Sequence, residues 1–101
     1  MKPEKEQILC AAIWLKKAKR AAHRPINTPG GVVICGFRHG NCISSIVELT
    51  DKRLHEHGEH LQGFLTNFNR FVDRKEGAEI WISNGNKLSY SEKELYSEDL
   101  Y

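Results

Sequence analysis

Eleven residues, Phe64 to Arg74 in "FLTNFNRFVDR", bring arginine, aromatic and amide side chains close enough together to act on one small molecule. An anionic nucleotide needs those classes: arginine for the phosphates, an aromatic face for the base, and Asn or Thr for the ribose hydroxyls. Arg70 and Arg74, Phe64 and Phe71, and Thr66 and Asn67 supply them in that order. A stacked base contributes about 1–3 kcal/mol. The same residues also have a purely architectural reading. In it Phe64, Phe71 and Trp81 are core, Arg70 pairs with an acid, and Arg74 is a first-turn surface charge contributing little to stability.

Two flanking motifs extend the set. "RHGN", Arg38 to Asn41, stands where a strand hands over to a helix, so free amides and the positive end of a dipole can hold a phosphate with Arg38 and His39 assisting. Alternatively Gly40 and Asn41 simply make a tight turn. "SEDL", Ser97 to Leu100, offers Glu98 or Asp99 to orient Arg70 or Arg74, or is a solvated acidic tail.

Other chemistry is poorly supported. Cys35, His39 and Cys42 with His55, His57 or His60 could supply four zinc ligands, yet C-x3-H-x2-C is not a common paired spacing. We expect no metal and no cofactor, a Cys35 thiol packed in an apolar strand, and a solvated histidine loop. For hydrolysis, His39, Glu76 and Glu98 are the acid–base candidates, in no recognisable arrangement. A Cys/His nucleophile pair lacks an orienting third group, so no catalytic residue is assigned.

These side chains need elements to position them. In "ILCAAIWLKKAKRAAH", Ile8, Ala11, Leu15, Ala18 and Ala22 recur at helical spacing, yet "ILCAAIWL" is also an apolar run of strand length. "HRPINTPGG" is a connection and "VVICGF", Val32 to Phe37, a strand. "NCISSIVEL" predicts a helix with Asn41 as N-cap and Ile43, Ile46, Val47 and Leu49 on its periodic face. "TDKRLHEHGEH" reads as the end of that helix and a loop, "GFLT" as a short strand, and "NFNR" as a turn in which asparagine takes the left-handed region. At "DRKE" a capping box between Asp73 and Glu76 starts a helix near Arg74, which "NGN" stops at Gly85.

A chain of 101 residues, 40% hydrophobic, can bury one modest core, so a single domain over 1–101 is expected. No apolar run spans a membrane, and "MKPEKEQ" lacks the apolar region of a signal peptide. With three cysteines, an odd number, reduced thiols and a cytoplasmic setting are expected. Residues 1–40 carry eight Lys/Arg against two Glu (+6); residues 41–101 carry seven against eleven Asp/Glu (−4). That asymmetry suits docking between copies or an anionic ligand, whereas a duplex-binding surface would need a continuous basic stripe.

The blocks "ILCAAI", "VVICGFRHGNC", "QGFLTNFNRFVDRKEGAEI" and "YSEDLY" together resemble the phage Thoeris anti-defence family, small proteins that act as sponges for nucleotide signals. The specific part of the resemblance is Gln62–Ile80 and Ser97–Tyr101. It implies an α+β fold, a small antiparallel sheet packed with two or three helices, assembled as homo-oligomers, and it favours a strand at residues 8–15. It also implies sequestration, without cleavage, of a cyclic ADP-ribose isomer or a cyclic oligonucleotide made by bacterial immune enzymes. Gly77 departs from the small residue usual in that family, and a mid-helix glycine costs roughly 1 kcal/mol. Two other readings stay open: a hydrolase of the same signals, and a protein-interaction module that docks an acidic partner through the basic N-terminal half.

Overall fold

The run "ILCAAIWL" is a strand, β1 (Ile8–Leu15), and the helical spacing of its apolar residues is incidental. It lies between β2 (Val32–Gly36) and β3 (His60–Thr66), both antiparallel to it, and β3 pairs in turn with β4 (Phe71–Asp73). The sheet order is β2-β1-β3-β4. A central strand is covered on both faces, which is why Ala11, Ala12 and Ile13 are all fully buried and why the run is apolar at every position rather than at alternate ones. The computed structural model describes residues 5–18 and 24–100. The fold is α+β, as the resemblance implied. Lys19 and Arg20 of the basic stretch lie outside the described residues, so its docking reading meets no structure there.

Helices α1 (His39–Thr50) and α2 (Arg74–Ser83) pack on one face of the sheet. Register fixes that face: Ala11 is opposite both Gly36 and Phe64, and Phe64 is opposite Val72. Under α1 the core consists of Ala11, Ile13, Leu15, Cys42 and Ile46; under α2 it consists of Phe64, Val72, Ala78 and Leu95. Fully burying a side chain such as Phe64 or Ile13 stabilises the fold by about 1.5–3 kcal/mol. Gly77 now has a reason. A Cβ there would stand 3.1 Å from the Phe64 ring, so glycine lets α2 settle onto β3.

On the opposite face the segment from Arg24 to Gly31 closes over Trp14 and Phe71. The Trp14 indole donates to the Gly30 carbonyl at 2.9 Å, and the Asn27 carboxamide both donates to and accepts from the Phe71 backbone, at 2.6 and 2.7 Å. Asn27 thereby satisfies the outer edge of β4, which would otherwise present unpaired backbone groups. Phe71 lies across Gly63, where an added Cβ would collide with the Val72 carbonyl oxygen and stand 2.8 Å from the ring.

Several expectations need correction. Helix α1 starts at His39, two residues earlier than expected, and Asn41 is not its N-cap: its carboxamide accepts from the Arg38 amide at 3.0 Å. The buried stripe of α1 is His39, Cys42 and Ile46, while Leu49 is 79% exposed. The histidine loop contains a 3-10 turn, Leu54–His57. The capping box is half formed: Asp73 accepts from the Glu76 amide at 2.8 Å, but the Glu76 carboxylate turns to Arg70 instead of back to Asp73. Asn69 takes the left-handed region (φ 58°), and α2 ends before Gly85 (φ 86°), both as expected. A last helical turn, α3 (Ser97–Leu100), is anchored through buried Ser97.

Candidate functional site

Three element ends meet above β3: the start of α1, the start of α2, and α3. His39 is the joint. It is 93% buried, its ring lies edge-on to Phe64 at 5.2 Å, and its Nε2 is 2.7 Å from the Gly63 carbonyl oxygen. A carbonyl can only accept, so Nε2 carries the proton and Nδ1 is an acceptor. Burial pushes the His39 pKa below the usual imidazole value; the Gly63 carbonyl raises it, the Arg74 charge lowers it, and Glu98 raises it. His39 is therefore a neutral ring lying within the electrostatic reach of both an arginine and a glutamate.

Arg74 holds the best-placed cation. One guanidinium nitrogen donates to Gln62 Oε1 at 2.7 Å and another to the Leu95 carbonyl at 3.3 Å, while the group lies 4.7 Å from the centre of the Tyr96 ring. All three partners are uncharged, and no carboxylate pairs with Arg74 among the described residues. The charge is held in place without being neutralised. Gln62 and Tyr96 escaped the sequence reading, although both lie within or beside the blocks "QGFLT" and "YSEDLY" that carried the resemblance.

Arg70 behaves oppositely. Its Nε lies 3.0 Å from the Glu6 carboxylate, off the axis of a hydrogen bond, and another guanidinium nitrogen contacts Glu76. Glu6 also accepts from the Thr66 hydroxyl at 2.7 Å. Asn67 completes the clamp: its carboxamide accepts from the Gln7 amide at 2.7 Å and donates to the Lys5 carbonyl at 3.1 Å. Thr66, Asn67 and Arg70 thus fasten the segment before β1 to the β3–β4 turn. They are structural here, as are the buried rings of Phe64 and Phe71, which offer no free face to a base.

The remaining candidates divide. Arg38 lies over the Phe37 ring at 5.4 Å, at the junction of β2 and α1. The first amide of α1, that of His39, donates to Ser97 Oγ at 3.3 Å, so "SEDL" is fastened by its serine. Asp99 accepts from the Ser89 and Tyr96 amides at 2.8 and 3.0 Å and orients neither arginine. Glu98 is exposed; its carboxylate accepts from the Ser97 hydroxyl at 3.5 Å, and its charge reaches His39. The α2 N-terminus is already capped by Asp73, so the expected phosphate cradle of free amides is partly filled. Cys35 is exposed on the face of the edge strand turned away from the helices, not packed as expected, whereas Cys42 is buried under α1. No group of three or more metal-ligand side chains converges among the described residues.

Clefts of about 280 and 460 Å³ run along the side of α2 that carries Ile82, and one of about 250 Å³ lies beside Trp81. None is lined by a residue of the Arg74 corner. No helix among the described residues is long and apolar enough to cross a membrane. No curated protein and no solved structure matches the chain. The family model described as Phage T4 y16D protein matches residues 7–101, nearly the whole sequence, and the chain belongs to that phage protein family.

Proposed function

We propose that the protein captures an anionic cyclic nucleotide signal at the Arg74 corner and withholds it from its receptor without cleaving it, as the resemblance to the Thoeris anti-defence family implies. One observation carries this reading: the Arg74 guanidinium is preorganised by Gln62, Leu95 and Tyr96, none of which neutralises it. A phosphate meeting a fixed, unpaired guanidinium gains charge-assisted hydrogen bonds with little ordering cost. Of the five N–H donors a guanidinium offers, two are engaged by the described residues, and in this reading the others serve the ligand. Neutral His39 keeps Nδ1 as an acceptor for a ribose hydroxyl. Membership of a phage family fits a role against host immunity, and the setting is then the cytoplasm of an infected bacterium.

Sequestration is favoured over hydrolysis because the one imidazole at the corner is buried and its Nε2 proton is committed to a main-chain carbonyl. That histidine is a poor proton shuttle. In this reading a second copy of the chain covers the ligand in a homo-oligomer, as the resemblance implies. The test is to mix the protein with cyclic ADP-ribose isomers and cyclic oligonucleotides in a calorimeter, then to denature it by heat and chromatograph the released nucleotide. Heat of binding followed by recovery of intact ligand supports the sponge; altered nucleotide assigns a hydrolase; no heat with any of them overturns the proposal.

A further inference from the structure

The face of the sheet turned away from α1 and α2 places two thiols on adjacent strands, away from the Arg74 corner. Cys35 in β2 is paired with Ala12 in β1, and Cys10, two residues before Ala12, stands on the same face because strand side chains alternate. The two cysteines are therefore diagonal cross-strand neighbours, and a disulfide between them draws the edge strand β2 slightly toward β1. Each thiol lies within the electrostatic reach of the other. Cys35 is exposed and Cys10 is half-buried, so both can be reached from solvent. Cys42, by contrast, is buried under α1, with its thiol turned to the Ala11 carbonyl at 3.6 Å.

We propose that Cys10 and Cys35 form a thiol-modification site, a cross-strand dithiol that low-molecular-weight disulfides of the glutathione type oxidise to an intramolecular disulfide joining β1 to the edge strand β2. Cys10 is the attacking sulfur. The neighbouring Cys35 thiol, opposed by burial and aided by the Gly36 amide, lowers the Cys10 pKa to about 7, while the same pairing and burial push Cys35 up. An attacking thiol with a pKa near ambient pH combines a large thiolate fraction with retained nucleophilicity. Cys42, the third thiol acting on the pair, is raised to about 11 by burial and stays protonated.

The chemistry balances in two exchanges. The Cys10 thiolate attacks one sulfur of the small disulfide, whose S–S bond breaks and expels one thiolate, leaving a mixed disulfide on Cys10. Cys35 then attacks the Cys10 sulfur, the mixed S–S bond breaks, and the second small thiol leaves carrying the Cys35 proton. The two cysteines lose two electrons in total, and the small disulfide gains them as two thiols. The ring so closed pins β2 at its outer end without touching the helix-covered core.

Incubation of the full chain with oxidised glutathione near neutral pH, followed by intact-mass and peptide-mass analysis, tests the site. The wild type is expected to lose the mass of two hydrogen atoms, with the Cys10 and Cys35 peptides joined and Cys42 free. Cys35→Ser is expected to stop at a single glutathione adduct on Cys10, while Cys10→Ser takes up little. In the untreated wild type, iodoacetamide should label Cys10 at least about tenfold faster than Cys42. A wild type that stays unchanged or retains the adduct without closing the ring overturns the proposal, as does equal labelling of Cys10 and Cys42.

Discussion

Arg70 and Arg74 stand four positions apart in one motif, yet the fold gives them opposite duties. Arg70 sits between Glu6 and Glu76 and is about one-third exposed, so its ion pairs are partly screened. Arg70→Ala leaves partly buried Glu6 without its cation and should lower the unfolding free energy by about 1–3 kcal/mol while leaving ligand affinity unchanged, as urea denaturation and calorimetry will read. Arg74→Ala should cost only about 1 kcal/mol of stability, from its bonds to Gln62 and Leu95, but weaken ligand binding by about 1.5–3 kcal/mol. His39 adds a pH dependence whose sign follows from its environment. Burial holds its folded pKa below 6.5, so the unfolded chain binds the proton more readily, and the contribution of His39 to stability is present at neutral pH and lost as pH falls through and below 6.5. The thermal midpoint should drop between about pH 7 and about pH 5, and His39→Gln should flatten that part of the profile. Residue types alone mark both arginines as phosphate candidates. What separates them is Glu6, near the other end of the chain, and no local spacing reveals that contact.

At the scale of elements, Gly63 is the position where the backbone leaves least room. A methyl group there collides with the Val72 carbonyl and the Phe71 ring, so Gly63→Ala should displace β4 and destabilise the fold by about 3 kcal/mol or more. Urea unfolding with an unchanged midpoint would show that β4 yields freely. Phe64→Ala empties the contact between β3 and α2 and should cost about 3–5 kcal/mol. Much of this layer was legible beforehand. The β-branched "VVICG", the αL asparagine of "NFNR", the Asp73 cap and the stop at Gly85 each act through neighbours a few residues away. Strand β1 was not legible from periodicity, because a central strand covered on both faces carries no alternation to read. The aromatic residues misled for a related reason: a ring that packs and a ring that stacks on a base have the same sequence signature, and only burial distinguishes them.

For the molecule as a whole, the basic first half and acidic second half of the chain and the small size of its core lead us to propose that copies assemble around the ligand. Light scattering at micromolar concentration should give a mass that is a multiple of 11.6 kDa; a monomer would contradict the assembly. The corner itself was only half legible: Arg74 and His39 were visible as candidates, whereas Gln62, Tyr96 and Ser97 join them only once the C-terminal turn folds back over the start of both helices. The central claim is that Arg74 is the anion-binding group and Arg70 is not. Titration of wild type, Arg70→Ala and Arg74→Ala with cyclic ADP-ribose isomers and cyclic oligonucleotides in a calorimeter separates the two most directly. The account predicts that wild type and Arg70→Ala bind one such nucleotide with similar affinity, and that Arg74→Ala binds it about ten- to a hundredfold more weakly while remaining folded. Equal binding by folded Arg74→Ala, or no binding by the wild type, would contradict it.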